Sequence, residues 1–205
     1  MSAVLPHLGA AMAVACIVLA ITSQFSVNRA LLICAGLASV TLCLVPIAGH
    51  VATHYVRVLT GDLSVASIVW FTIMAAGLCR IGDRKRSDAE VILSLLVVLT
   101  AVVLYPTALG LSPFDLYAEG YRPTVLGPLV FVLFALSVWF NLWLPAVMLC
   151  GSMVGYYFGW LESDNLWDYL IDPVMTIYAS SLLFMERRRL SAIVSQQPEL
   201  QTTDD

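Results

Sequence analysis

The chain has 205 residues, of which 60% are hydrophobic and 12% charged, with a mean hydropathy of +0.88 and a formal net charge of -4. This composition excludes an ordinary water-soluble domain and predicts an all-α, polytopic membrane helical bundle. The negative balance, with basic residues gathered only in two short clusters, also excludes nucleic acid as a partner, because phosphate binding needs a concentrated basic face.

A helix needs about 20 apolar residues to cross hydrocarbon. Seven runs approach that length, near 3 to 21, 30 to 48, 63 to 79, 89 to 105, 124 to 140, 142 to 160 and 167 to 185. The first follows Met1-Ser2 with no Lys or Arg ahead of it, so it lacks the basic start of a secretory signal and is expected to be retained. Cys16, Cys34, Cys43, Cys79 and Cys150 all fall inside apolar runs and form no C-x-x-C pair, which reads as small buried side chains, not redox or zinc chemistry.

After the second run, His50 and His54 stand four apart, a spacing that puts both imidazoles on one side of a helix as metal sites and acid–base pairs require. The Glu of H-E-x-x-H is missing, and a third ligand would have to come from Asp62, Asp115 or Asp168. Structural or interfacial histidines are therefore expected, with no metal and no cofactor. Asp62, in Thr60-Gly61-Asp62-Leu63-Ser64, is predicted to cap the third helix.

Orientation follows from the basic clusters. Arg80, Arg84, Lys85 and Arg86 follow the third run, and Arg187, Arg188 and Arg189 follow the last. Short cytoplasmic loops collect Lys and Arg, so both clusters lie inside only if an even number of crossings separates them. That condition splits residues 124 to 160 at Phe140-Asn141-Leu142-Trp143 and gives seven spans, with six as the fused alternative. The N-terminus then lies outside and the C-terminus in the cytoplasm. One transmembrane domain, 1 to 194, precedes a polar tail, 195 to 205, whose composition reads as disordered.

Three outer connections, 49 to 62, 106 to 123 and 161 to 173, carry Asp62, Asp115, Glu119, Glu162, Asp164, Asp168 and Asp172 against Arg57 and Arg122. The Pro, Gly and aromatic content of the middle one predicts a loop folded back onto the surface as a lid. Asp115, Glu119 and Arg122 are spaced for local salt bridges. The alternative is that Arg122, with Arg57 and a hydroxyl such as that of Tyr121, binds an anionic lipid head or phosphate.

The last run opens on Asp164-Asn165-Leu166-Trp167-Asp168-Tyr169-Leu170-Ile171-Asp172-Pro173. If helical throughout, Asp168 and Asp172 share a face; the favoured reading makes Asp172 the cap of a helix beginning at Pro173. The apolar stretch from Val174 to Met185 is then only about 18 Å long at helical rise, and residues 166 to 171 lie at the interface, anchored by Trp167 and Tyr169. Caps and anchors account for the segment; an interaction surface or a catalytic carboxylate is the alternative.

Serine-hydrolase, zinc-protease and nucleotide-hydrolysis motifs are absent, so no nucleotide is expected. Three functions remain. The leading one is an accessory or assembly subunit of a bacterial-type inner membrane, working with another membrane or extracytoplasmic protein on lipid-linked or envelope material. The second is an enzyme acting on a lipidic substrate at the outer interface through Asp168, Asp172, His50 and His54. The third is a small-solute transporter, disfavoured by span centres nearly free of charge.

Overall fold

The computed structural model describes residues 4–25, 28–43, 45–47, 50–78 and 88–196. The basic cluster of Arg80, Arg84, Lys85 and Arg86, together with Cys79 and residues 197–205 of the polar tail, lies outside the described residues.

Among the described residues the protein is all-α apart from one tiny hairpin. In chain order it comprises α1 (Val4–Phe25), α2 (Arg29–Cys43), β1 (Pro46–Ile47), β2 (His50–Val51), α3 (Ala52–Thr60), α4 (Val65–Leu78), α5 (Asp88–Ala108), a 3-10 turn (Ala118–Gly120), α6 (Leu126–Trp139), α7 (Trp143–Tyr157), α8 (Trp167–Leu170) and α9 (Pro173–Gln196). Helix α4 is the hub, packed against α1, α7 and α8, while α5 lies on α9 and α6 on α7. Trp70, wholly buried, sits in a core with Ala66, Leu93, Val97, Met148 and Met175.

Among the described residues, one helix, over Ala89–Ala108, is both long and apolar enough to cross a membrane. Length and apolarity together therefore support one crossing, not the seven expected. Several of the apolar runs fold into shorter helices because helix-ending geometry intervenes. The second run breaks after Cys43, where the chain turns into the antiparallel hairpin pairing Pro46 with Val51 and Ile47 with His50. Helices α6 and α7, at 14 and 15 residues, are each about 22 Å long, short of a hydrocarbon core roughly 30 Å thick.

The break expected between residues 140 and 142 is present. Asn141 takes a left-handed φ of 56°, its N–H bonds Val138 O, and the Leu142 N–H bonds Ser137 O, which together form a Schellman C-cap. Gly159 ends α7 the same way, with φ 59° and bonds from Gly159 N–H to Tyr156 O and from Trp160 N–H to Gly155 O. At the other end of the chain, α9 does not stop near Met185 but continues through the three arginines to Gln196. Its 24 residues span about 36 Å. Arg188 is folded back over the Phe184 ring, 4.5 Å from its centre.

Candidate functional site

The connections that follow α3, α5 and α7 meet at one end of the bundle, and Asp172 is the residue that locks them to the helices. Asp172 is 4% exposed. One carboxylate oxygen, Oδ1, accepts the Met175 N–H at 2.8 Å, the N-cap interaction expected from Asp172-Pro173. The other, Oδ2, accepts the Ser64 N–H at 2.9 Å and the Ser67 hydroxyl. A single carboxylate thus faces the starts of two helices, α9 and α4, where free N–H groups and the positive dipole ends favour a negative charge. Ser64, not Asp62, caps α4: its Oγ accepts the Ser67 N–H at 3.1 Å. Asp62 turns away to Arg57, whose Nε lies 2.6 Å from its Oδ1. The Arg57 guanidinium also reaches 4.0 Å from Glu162, bridging the first and third connections.

Asp168 does a similar job one layer out. The Tyr117 hydroxyl donates to it, 2.9 and 3.0 Å from the two carboxylate oxygens, and the Ser163 hydroxyl donates to Oδ2. Burial first, and then the hydrogen bond donated to Asp168 and the charge of that carboxylate, push the Tyr117 phenol well above its usual range. Further bonds stitch the same two loops together: Asn165 Nδ2 to Tyr117 O at 3.0 Å, Trp167 Nε1 to Leu116 O at 2.8 Å, and the Leu166 N–H to Gly120 O at 2.9 Å. Gly120 is required by this close approach. A Cβ there would overlap the Asn165 side chain and come within 2.8 Å of Trp167 Cδ1.

Between these loops lies a cavity of about 550 Å³. Asp62, Glu162, Asp168 and Asp172 line it with Tyr105 and Tyr117, and among the described residues no Lys or Arg does so. Apolar walls come from Leu104, Trp167 and Ile171. The arrangement suits hydrogen-bond donors and cations.

The expected site residues divide accordingly. Asp168 and Asp172 come together at the cavity, whereas His50 and His54 do not line it. The two imidazoles stack on each other, 4.6 Å between ring centres and 18° from parallel, with Tyr55 edge-on to His54. Among the described residues no group of three or more His, Cys, Asp or Glu is placed to hold a metal ion.

Two expectations are corrected. Asp115 accepts the Ala118 N–H at 3.1 Å and forms the start of the 3-10 turn, and among the described residues no ion pair joins Asp115 or Glu119 to Arg122. Arg57 is committed to Asp62, Arg122 and Tyr121 are not among the residues that line the cavity, and Tyr121 packs edge-on against Tyr117. Tyr169 is not an interfacial anchor but fully buried. Its hydroxyl accepts the Leu161 N–H at 3.1 Å and lies 3.0 Å from Ser163 O, and its carbonyl accepts the Ser152 hydroxyl.

Ser64, Ser67, Ser163, Tyr117 and Asn165 were missed from sequence. Ser64 and Ser67 carried a readable signal, a serine pair three apart at a helix start. Their carboxylate partner lies more than a hundred residues away, which no local pattern gives. No family model matches the chain, and neither does any curated protein or solved structure.

Proposed function

We propose that this chain is a multi-pass inner-membrane protein with its loop-built cap on the outer face, serving as an accessory or assembly subunit that works with a partner on lipid-linked or cell-envelope material. The observation that carries the reading is the internal commitment of the cap's two deepest carboxylates. Asp172 accepts two backbone N–H groups and a hydroxyl, and Asp168 accepts two hydroxyls. Such groups hold a shape; a reactive carboxylate needs a free oxygen and a matched partner.

Membrane residence is supported by polarity that runs opposite to that of a water-soluble fold. Ser64, Ser67, Ser94, Ser152 and Asn165 are fully buried, whereas Leu95, Leu99, Val102 and Val103 on α5 are about half exposed. An apolar surface this continuous is not left in water. Exposed aromatics collect at both ends of α6 and α7: Trp139, Phe140 and Trp143 at the turn between them, Tyr157, Phe158 and Trp160 at the far end of α7. That is the placement of interfacial belts. Up to seven crossings, with the N-terminus outside, remain compatible with the short helices, because a bilayer thins and flanking residues adjust at modest cost.

The enzyme reading is favoured by one observation, the cavity with its four carboxylates. Purification of the tagged chain in mild detergent separates the two. An assembly subunit brings a stoichiometric partner that crosslinks to exposed cap residues such as Glu119 and Tyr121. A clean monomer that turns over a lipid by itself would contradict the proposal.

A further inference from the structure

The acidic cavity is not isolated. Below it a second, apolar cleft of about 230 Å³ opens between α5 and α6, lined by Leu93, Leu96 and Val97 on one side and Leu129, Val130 and Leu133 on the other. Its floor is Met148 and Met175. On α6 the lining runs from Leu126 to Ser137, about 16 Å at helical rise. Trp167 and Ile171 belong to the walls of both spaces, and the Trp167 indole is pinned between them by its bond to Leu116 O. The two spaces therefore adjoin along this shared wall, one polar and negatively charged and the other apolar.

We infer that these two adjoining spaces bind a single membrane amphiphile that passes the Trp167 and Ile171 wall, with an alkyl chain in the cleft between α5 and α6 and an ammonium head in the cavity beneath the loops. The inference rests on the membrane reading proposed above and names the ligand of that same cap. Charge decides the head. Four carboxylates face the cavity, and the nearest guanidinium, Arg57, is taken by Asp62, so a phosphate or carboxylate head would meet net repulsion. An ammonium group would meet the lone pairs that these carboxylates keep, since a carboxylate offers about four, beside the aromatic side chains of Tyr117 and Trp167. The cleft is apolar apart from Thr100 and Ser137, and a chain lying in it removes Leu129 and Leu133 from whatever else would cover them.

The test uses the full chain in mild detergent and a long-chain primary alkylamine carrying a photoreactive diazirine at mid-chain. Crosslinks are expected on the cleft faces of α5 and α6. Labelling should exceed that by the same chain with a carboxylate head about tenfold, the scale of one charge-assisted contact. Leu129→Trp, which fills the cleft, should abolish labelling, while Glu162→Gln, at an exposed side chain, should reduce the preference for the amine several-fold with labelling positions unchanged. Equal labelling by both heads, or crosslinks spread evenly around the bundle, would overturn the inference. Partner recovery is scored separately, so a chain that lacks a partner yet labels in the cleft contradicts only the assembly role.

Discussion

The Asp172 carboxylate accepts the backbone N–H of Ser64 at 2.9 Å, joining the start of the last helix to the start of the fourth across a hundred residues of sequence. Because the same group also caps α9 through Met175, its removal leaves two buried N–H groups unpaired at once. Asp172→Ala is expected to cost about 3 kcal/mol, a lost cap plus a second unsatisfied donor. Asp172→Asn, which retains one acceptor oxygen, is expected to cost less than half as much. Denaturant unfolding in detergent, followed by tryptophan fluorescence, measures both, and equal stability of Asp172→Ala and the parent would refute the clamp.

Tyr117 sets a limit at alkaline pH. Its phenol ionises at a higher pH when folded than when unfolded, so the clamp on Asp168 contributes fully below the unfolded value of about 10. Above that pH the unfolded chain releases the proton first, and stability falls as pH rises. A melting-temperature profile should decline beyond that point, with a shallower decline in Tyr117→Phe. A profile that is flat, or identical in the two proteins, speaks against this assignment.

Gly120→Ala should loosen the loops without disturbing the helices, since the added methyl collides with Asn165 and Trp167 and not with the bundle. Limited proteolysis between residues 109 and 123 is expected to accelerate while helical circular dichroism stays constant. Unchanged cleavage would mean that the two loops are not packed as described.

The stacked pair of His50 and His54 lacks a third ligand among the described residues. Titration calorimetry with zinc is expected to give no stoichiometric site, and His50→Ala with His54→Ala should leave the heat signal as it was. A site of one ion per chain that the double variant removes would restore the metal reading.

Short-range signals were legible in the sequence and long-range ones were not. Asp172-Pro173 announced its helix start because proline at the first position and a carboxylate before it act within one turn. The break at Phe140-Asn141-Leu142-Trp143 was read from the parity of crossings, and Asn141 makes it by taking a positive φ. Tyr169 misled, because an aromatic near a span boundary has the same local signature whether it anchors at an interface or fills a core. Asp62 misled for a related reason: it was near enough to cap α4, but Arg57 competed for it and Ser64 was closer to the helix. The cavity itself needed three connections to converge, a property of packing with no local pattern.

The arrangement of the bundle in a membrane, cap outside, is tested most directly by labelling single cysteines in an otherwise cysteine-free chain. Glu119→Cys lies on the cap and Phe140→Cys at the turn between α6 and α7, both at exposed positions. With a membrane-impermeant maleimide on intact spheroplasts, Glu119→Cys should label at once and Phe140→Cys only after lysis. Labelling of both before lysis, or of Phe140→Cys alone, would contradict the account.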